Sequence, residues 1–296
     1  PLDTTPPAPP EHDPVEIRRP ESWRAPLIFA SPHSGRTYPA QFCQASRLDP
    51  LSLRRSEDAF VDEIFSCVPE LGAPLLLAHF PRAYIDPNRE AFELDPEMFD
   101  GPLPDYVNTG SPRVSAGLGT LARVVTSGAE IYSGKLNFGQ TKTTIENLYM
   151  PYHAALQGLL DEAIERFGGC LLIDCHSMPS VGGPMDRDPG FRRVDFVLGD
   201  RHGVSCDSRL THHVERALRD MDYVVTRNTP YAGGYTTSHY GAPKKARHAL
   251  QIEINRALYM DELRVERGAG LPILQDNIRT LVAGLCDIDP DMLPPS

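Results

Sequence analysis

The chain has 296 residues, a formal net charge of −11 and a pI of about 5.4. Hydrophobic residues make up 41% of it, enough to build the core of one large α/β domain or of two smaller ones. The acidic balance argues against a nucleic-acid-binding protein, and no apolar run approaches the roughly 20 residues of a membrane-spanning helix.

The N-terminus and the cysteines favour a cytoplasmic protein. Neither a basic region nor an apolar stretch opens the chain, so no secretory signal is predicted. The six cysteines form no C-x-x-C pair and several lie in apolar segments, which favours buried, reduced thiols over a disulfide framework or a structural zinc cluster. The composition does not indicate an oligomeric state.

The chain opens with a segment that differs from the rest. Residues 1–26 are rich in proline and charge and are predicted to form an extended or disordered arm. Residues 27–30 are a short apolar run and are predicted as the first strand, followed by a loop that carries His33. A second apolar run, 75–78, is predicted as the next strand.

Between these two strands the sequence predicts a helix. Ser56 is a good N-cap for residues 57–68, whose apolar side chains recur at helical spacing. Glu57 and Asp58 would then lie in the first turn. Acidic residues there favour the helix dipole, so simple capping is the alternative to any functional role for them.

The middle of the chain is the least regular part. Residues 81–89 form a compact polar run with two arginines, and 90–139 carry many glycines and prolines without a clear period. So long an irregular stretch is uncommon in a compact domain and is often functional, for example as a lid. Residues 143–167 are predicted as a helix that Pro151 breaks or kinks.

The C-terminal half alternates strands and helices. Residues 169–174 are predicted as a central strand that runs into Asp-Cys-His-Ser, and the later elements repeat the pattern. Those elements are a strand at 196–199, a helix capped by Asp207 and ending at Leu218, a strand at 223–225, a glycine- and hydroxyl-rich loop at 230–241, a strand at 249–254 and a helix at 272–286. This order predicts an α/β fold: a mixed, mostly parallel sheet between two layers of helices. Residues 27–290 would form this single domain, with an irregular insertion at about 90–139.

Two histidines stand where a parallel sheet places its ligands. His33 and His176 each follow an apolar strand run, and ligands bind outside the carboxyl ends of such strands. Catalytic zinc takes three protein ligands from His and Asp/Glu and leaves one position for water. The third ligand would be Asp58 or Glu57. The alternative is that the histidines bond backbone groups.

A carboxylate and two arginines extend this site. Glu253 lies in a strand run, where an ionisable group is costly unless it faces a site or a partner. It is the candidate general base, and a salt bridge to Arg256 is the alternative. Arg82 and Arg89 are candidate clamps for a substrate carboxylate, because a guanidinium offers a bidentate fork. Surface ion pairs with acidic neighbours are the alternative for them.

Other catalytic classes have weaker support. Ser34 and Ser177 each sit beside a histidine, but neither lies in a G-x-S-x-G elbow. Cys175 could be a nucleophile, yet strand alternation would point it away from His176 and into the core. No Walker loop is present and no G-x-G-x-x-G follows a strand, so nucleotide cofactors lack support.

Together these residues resemble the N-formylglutamate amidohydrolase family along most of the chain after the N-terminal arm. Each match is short, and their order makes the set specific. The matches are Ser31-Pro32-His33-Ser34-Gly35, Glu57-Asp58, Arg82, Ile85-Asp86-Pro87-Asn88-Arg89, Pro151-Tyr152-His153, Asp174-Cys175-His176-Ser177, Gly233-Gly234, His239-Tyr240-Gly241, Gln251-Ile252-Glu253 and Tyr259-Met260.

The resemblance implies a phosphorylase/hydrolase-like fold, related to zinc carboxypeptidases and aspartoacylases. It implies a metal-dependent amidohydrolase with one Zn²⁺ per chain that converts N-formyl-L-glutamate and water to formate and L-glutamate, a step of histidine degradation. Another N-acyl amino acid or short peptide as substrate, or a non-catalytic carboxylate-binding relative, are the alternatives. Manganese, iron or cobalt would also accept such ligands.

The resemblance also implies roles for individual residues. Those relatives begin their ligand set with His-x-x-Glu, but here Arg36 stands three residues after His33, so Asp58 is the best match for the carboxylate, with Glu57 as the alternative. The implied roles are metal binding by His33, Asp58 and His176, catalysis by Glu253 and Arg82, substrate binding by Arg82, Asn88, Arg89, Gly234, His239 and Tyr240, and orientation of a ligand histidine by Asp174.

Overall fold

A mixed sheet of seven strands forms the centre of the part of the chain that the structure describes. The structure is a computed structural model and describes residues 13–125, 127–184, 186–288 and 293. The strands of this sheet are β1 (Val15–Arg18), β2 (Leu27–Ser31), β3 (Leu75–Ala78), β4 (Cys170–Met178), β5 (Phe196–Gly199), β6 (Val225–Arg227) and β7 (Arg247–Asn255). They lie in the order β1-β3-β2-β4-β7-β5-β6.

The four central strands run in one direction. β3, β2, β4 and β7 pair in parallel, while β1 pairs antiparallel with β3 and β5 pairs antiparallel with β7. The carboxyl ends of the four parallel strands therefore meet at one edge of the sheet. The predicted mixed, mostly parallel sheet is confirmed. A separate ribbon pairs β8 (Met260–Asp261) with β9 (Glu266–Arg267).

Helices cover both faces of the sheet, as predicted. The helices of the described residues are α1 (Ala40–Ala45), α2 (Pro50–Arg54), α3 (Val61–Ile64), α4 (Pro112–Ser115), α5 (Phe138–Thr144), α6 (Met150–Phe167), α7 (Ser208–Arg219), α8 (Tyr235–Tyr240) and α9 (Leu271–Cys286). Short 3₁₀ turns span Pro69–Leu71, Pro96–Met98, Pro243–Lys245 and Arg256–Leu258. Residues of α3, α7 and α9 pack on one face of the sheet, and residues of α6 pack on the other.

Strand alternation divides the core in two. In β2, Leu27 and Phe29 join the α3/α7/α9 side, while Ile28 and Ala30 join the α6 side. In β4, Ile173 and Cys175 face the α3/α7/α9 side. Because successive side chains of a strand point to opposite faces, Asp174 and His176 face the α6 side. The polar site is therefore built on that face.

The N-terminal segment enters the sheet earlier than the sequence predicts. Residues 1–12 of the predicted arm lie outside the described residues. Val15–Arg18, which also belongs to it, forms the edge strand β1 and pairs with β3 from Val15↔Ala78 to Arg18↔Leu75. An edge strand tolerates the nearby prolines because only one of its sides needs hydrogen-bond partners.

The helix predicted for 57–68 is wrong in its extent. The structure has only Val61–Ile64 as α-helix, because Phe60 takes a left-handed conformation with φ of 67°. Ser56 is not a cap, since its hydroxyl donates to the carbonyl of Leu53. Glu57 and Asp58 consequently lie before the helix, in a turn that the sequence does not distinguish from a first helical turn.

Pro151 changes the helix around it without ending it. α5 continues through a π-helical turn, Ile145–Tyr149, into α6, where Pro151 occupies the first turn. Proline has no N–H to give to the preceding turn, and a π turn is one way to absorb the lost bond. The predicted helix therefore begins earlier, at Phe138.

Two more boundaries move in ways that matter for the site. β4 runs to Met178, so His176 lies within the strand and not in the loop after it. The predicted loop at 230–241 contains the short helix α8. Residues 90–139 hold one 3₁₀ turn, α4, the start of α5 and isolated β-bridges. Among the described residues, we find no helix with the length and apolarity needed to cross a bilayer.

Candidate metal centre and active site

Three buried side chains converge at the carboxyl ends of β2 and β4. They are His33, Asp58 and His176, and one potential ligand atom from each lies within 4.8 Å of the others. β2 and β4 are parallel neighbours, which brings the two histidines to the same sheet edge. The turn after α2 delivers Asp58, whose backbone N–H donates to the carbonyl of His33 at 3.0 Å. This group could hold a metal ion.

The distances from Asp58 to the two histidines are close to those between ligands of one tetrahedral ion. Asp58 Oδ2 lies 3.0 Å from His176 Nδ1 and 3.4 Å from His33 Nδ1. Ligands bound at about 2.0–2.1 Å to one tetrahedral ion stand about 3.3–3.4 Å apart. Within the described part of the chain, His33 Nδ1 is buried and has no hydrogen-bond partner. A buried ring nitrogen without a partner is costly unless something binds it.

The other nitrogen of each histidine is held by a carboxylate. Asp86 Oδ1 lies 2.6 Å from His33 Nε2, and Asp174 Oδ2 lies 2.9 Å from His176 Nε2. A carboxylate accepts, so each Nε2 carries a proton. Each Nδ1 faces the cluster, where His176 Nδ1 lies 3.0 Å from Asp58 Oδ2. This is the usual outer arrangement of metal-binding histidines, and it fixes both tautomer and ring orientation.

Two arginines hold the far side of Asp58. Arg256 Nη2 and Arg82 Nη1 lie 2.9 Å and 3.3 Å from Asp58 Oδ1, which leaves Oδ2 for the histidines. Sequence reasoning considered Arg256 only as a partner of Glu253. Arg256 directly follows β7, at the sheet edge where the site residues gather, and this position is the sequence feature that indicates a role in the site.

The electrostatics of the cluster favour a bound cation. Burial alone would raise the pKa of Asp58, but the hydrogen bond with His176, the nearby His33 ring and the charge of Arg82 hold it well below its usual range. Burial disfavours a charged His176, yet Asp174, Asp58 and Glu253 raise its pKa well above the ordinary value. These carboxylates therefore keep a proton on His176 when no other cation is present.

Glu57, the alternative third ligand, lies apart from this cluster. Its carboxylate accepts from Tyr38 Oη at 2.8 Å and from Arg54 Nε at 3.1 Å. Burial raises its pKa, and both partners oppose that change. The two side chains that bind Glu57 hold it away from the histidines, so Asp58 is the carboxylate that the structure brings to them.

Glu253 stands beside His176 across the β4–β7 pair. The two residues are register partners, and Glu253 is only 8% exposed. Gln251 lies two residues earlier on the same strand face and donates from Nε2 to Glu253 Oε1 at 2.8 Å. Burial raises the pKa of Glu253 to about 7, against the opposing charge of His176. Such a carboxyl can take or give a proton near neutral pH.

Arg82 and Arg89 line a small cavity next to the cluster. Its volume is about 50 Å³, and part of its wall comes from residues 90–139, including Leu118 and Val124. Arg82 is 24% exposed and also reaches Asp86. Arg89 is more engaged, since its Nε donates to the carbonyl of Leu118 and its Nη1 to its neighbour's carbonyl. Arg82 is the freer of the two guanidinium groups.

The structure uses the Asn88 side chain within the protein. Asn88 Oδ1 accepts from the backbone N–H of Thr236, and Nδ2 lies 3.4 Å from Asp174 Oδ2 and 3.2 Å from His176 Nε2. Both ends of the buried amide are therefore occupied. In this structure Asn88 braces the His176–Asp174 pair, and the implied substrate contact of Asn88 stays a prediction.

The glycine-rich loop is likewise committed to internal contacts. The N–H of Gly234 donates to Gln251 Oε1 at 2.9 Å, and a Cβ at Gly234 would come within 2.6 Å of the Asn88 side chain. Tyr240 is buried, with its hydroxyl 2.7 Å from His153 Nδ1. His239 is exposed and stacks on Tyr235. The implied substrate roles of Gly234, His239 and Tyr240 stay predictions.

The rival nucleophiles are placed unfavourably. Cys175 faces the core, as strand alternation predicts, and burial raises the pKa of its thiol well above the ordinary value. A reactive cysteine needs the opposite change. Ser177 accepts from Arg256 Nε and lies near the Tyr259 hydroxyl. Neither forms a nucleophile–base pair with His176, whose two nitrogens face carboxylates.

Comparison with known proteins gives a consistent result. The family model described as N-formylglutamate amidohydrolase matches residues 25–260. Two curated relatives, both named N-formylglutamate deformylase, come from Pseudomonas aeruginosa and Pseudomonas putida. Each is 30% identical to this chain, over 244 and 248 residues, and the alignments cover 81% of this chain and 84% and 83% of theirs.

Solved structures agree with the family match. The crystal structure of N-formylglutamate amidohydrolase from Ralstonia eutropha JMP134 superposes with a TM-score of 0.86 and 38% identity, and covers 93% of this chain and 98% of that one. A gene product from Agrobacterium tumefaciens superposes with a TM-score of 0.67 and 18% identity, and covers 93% and 95%. The second likeness shows the fold alone.

Proposed function

Because the chain belongs to the N-formylglutamate amidohydrolase family, we propose that it hydrolyses N-formyl-L-glutamate to formate and L-glutamate. The strongest support in the structure is the position of Glu253, a buried carboxyl with a pKa of about 7, beside the His33–Asp58–His176 cluster. Binding of a carboxylated ligand alone would not require such a group.

We further propose that the cluster holds one zinc ion through His33 Nδ1, Asp58 Oδ2 and His176 Nδ1. The donor spacing, the partnerless His33 nitrogen and the surplus of carboxylates support this assignment. When bound there, a divalent ion supplies Lewis-acid polarisation of the water nucleophile and of the formyl oxygen. Asp86 and Asp174 keep both imidazoles in the tautomer that this binding requires.

Glu253 would move the proton. It accepts one from the attacking water while the new C–O bond forms at the formyl carbon, and returns one to the nitrogen as the C–N bond breaks. One water is consumed, and formate and the free amino group of glutamate result. The hydrogen bond from Gln251 keeps Oε1 of Glu253 occupied, so Oε2 is the atom available for transfer.

Arg82 is proposed to stabilise the oxygen that becomes negative during attack. Its guanidinium already lies on Asp58 and is partly exposed toward the cavity, so it can donate to an oxygen near the cluster. Arg89, on the wall of the same cavity, is proposed to attract a substrate carboxylate with the part of its guanidinium that the backbone carbonyls leave free.

The setting of the enzyme belongs to the same proposal. A cytoplasmic location is supported by the six cysteines, all of which are unpaired. A place in histidine degradation would accompany the proposed reaction. The partner is a small N-acyl amino acid.

The test measures the metal content and the turnover of the same protein variants. Zinc per chain and kcat/KM on N-formyl-L-glutamate should be measured for the parent, for His176→Ala and for a control, His212→Ala, whose side chain is exposed on α7. We expect about one zinc in the parent and in the control, and loss of both zinc and activity in His176→Ala.

A substrate panel then decides the reaction. N-acetyl-L-glutamate tests the acyl group, and N-formyl-L-glutamine tests the side chain. If the zinc-bound parent turns over N-acetyl-L-glutamate faster than N-formyl-L-glutamate, N-acetyl-L-glutamate replaces N-formyl-L-glutamate as the proposed substrate. A parent that binds no zinc and turns over none of the three would refute the proposal.

A further inference from the structure

One short loop contacts the rear nitrogen of both candidate ligand histidines. In residues 86–89, here called the 86–89 loop, Asp86 Oδ1 lies on His33 Nε2 at 2.6 Å. Two residues later, Asn88 Nδ2 lies 3.2 Å from His176 Nε2 and 3.4 Å from the carboxylate that holds it. A displacement of this loop would therefore turn both rings.

Side chains hold the carbonyls of the 86–89 loop. His153 Nε2 lies 2.9 Å from the carbonyl oxygen of Pro87, and the Tyr149 hydroxyl donates to the carbonyl of Arg89 at 2.7 Å. The carbonyl of Asn88 accepts from the guanidinium of Arg89. Two of these donors come from the helix after the insertion, and His153 holds the carbonyl next to Asn88.

The contacts of His153 define its tautomer. A carbonyl oxygen can only accept, so the proton of the neutral ring must be on Nε2. Nδ1 then accepts from the Tyr240 hydroxyl at 2.7 Å. The Tyr149 ring packs against it, tilted by 31°, at a centroid distance of 4.2 Å. Burial lowers the pKa of His153 to about 4, so the ring stays neutral near pH 7.

We propose that His153 is a positioning residue that sets the orientation of both metal-ligand histidines through the carbonyl of Pro87. It touches neither the cluster nor the cavity, and acts through the 86–89 loop. The inference rests on the proposed role of His33 and His176 in metal binding. No other function considered above uses His153.

The experiment measures zinc affinity by competition with a chromophoric chelator. His153→Leu removes the donor to Pro87 and should raise the Kd for zinc about tenfold, the lower end of what outer partners of ligand histidines contribute. His153→Gln keeps an N–H donor near the same reach and should restore the Kd to within about threefold of the parent. Tyr240→Phe should give an intermediate Kd.

Two controls separate positioning from loss of stability. Leu159→Ala lies on the same helix and is buried in the core, so it should lower Tm at least as much as His153→Leu and leave the Kd for zinc unchanged. Combining Tyr240→Phe with His153→Leu should add nothing to the single His153 variant, because both remove the same support.

Each result decides the inference. A parent-like Kd in His153→Leu, an equal loss of affinity in Leu159→Ala, or no restoration by His153→Gln would overturn it. If the proposed metal site is wrong, the parent itself binds no zinc, and that result refutes both proposals. If only the role of His153 is wrong, the parent binds zinc and His153→Leu binds it equally well. Loss of affinity in His153→Leu, a smaller loss in Tyr240→Phe and none in Leu159→Ala support it.

Discussion

Replacing Glu253 with glutamine should make the protein more stable at high pH while it abolishes turnover. Glu253 is buried, and its pKa rises from a model-compound value of 4.5 to about 7 on folding. In the unfolded chain the carboxyl ionises near 4.5. Between these two values the folded state binds more protons than the unfolded state, so stability falls as pH rises. Glutamine has nearly the same shape and carries no charge at any pH.

The size of the effect follows from the two pKa values. A shift of one unit corresponds to about 1.4 kcal/mol, so the full cost of ionising Glu253 in the folded state is about 3 kcal/mol above pH 7. Integrated from pH 5 to pH 8, the loss is about 2.5 kcal/mol, because part of it has occurred below pH 5. Glu253→Gln should lack this loss. The general base is also removed, so kcat should fall by about 10²–10⁴-fold.

The assay is urea unfolding of metal-free protein at pH 5 and pH 8, with chelator present. For each protein, the free energy of unfolding at pH 8 is subtracted from that at pH 5. The prediction concerns the difference between the value for the parent and the value for Glu253→Gln. Glu266→Gln, at an exposed position, is the matched control and should behave as the parent does. A difference below about 0.5 kcal/mol would show that Glu253 ionises as an ordinary surface carboxyl, and would refute the reasoning.

Three further predictions concern the groups around Glu253. Arg82→Ala should lower kcat about 10²-fold because it removes an oxyanion donor, and Arg82→Lys should recover only part of that loss. Steady-state kinetics measure this, with the exposed Arg264→Ala as a control that should keep the kcat of the parent. Full activity of Arg82→Lys would contradict the prediction. Zinc binding at pH 7 should release about one proton from His176, because the pKa of His176 is raised in the metal-free protein. Calorimetry in buffers of different ionisation enthalpy measures the number of protons released. Binding without proton release would count against the site. Gln251→Leu removes a hydrogen bond to the ionised Glu253 and should therefore raise the pKa of Glu253. The acid limb of the pH profile of kcat/KM should move to higher pH. An acid limb that stays in place or moves to lower pH would contradict this.

Local patterns predict most strands of the sheet and three of the candidate site residues. The runs at 75–78 and 196–199 match their strands residue for residue, since short apolar runs bounded by breakers have few alternatives to a buried strand. His33 and His176 could be found because parallel strands deliver their carboxyl ends to one edge. Glu253 could be found because a carboxylate in an apolar run must face something polar.

The remaining parts of the site depend on contacts that no local pattern contains. Phe60 adopts a left-handed conformation that is rare for an aromatic residue, and this alone removes the predicted first helical turn. Arg256 reaches Asp58 across nearly 200 residues of sequence. Asn88 carries a motif that suggests substrate binding, yet the distant Thr236 and Asp174 occupy its amide. Only the tertiary fold decides between such uses of one side chain.

The strand β1 has a consequence for how the molecule meets other molecules. It is the first strand in sequence but lies at the outer edge of the sheet, on β3. Without it, the backbone N–H and C=O groups on the outer side of β3 would be open to a strand from another chain, the usual route to edge-to-edge association. The proline- and charge-rich sequence around Val15–Arg18 suits that outer place. The edge of the sheet is thus a strand that carries Glu16 and Arg18 in place of the apolar Leu75–Ala78, and removing Val15–Arg18 should lower solubility.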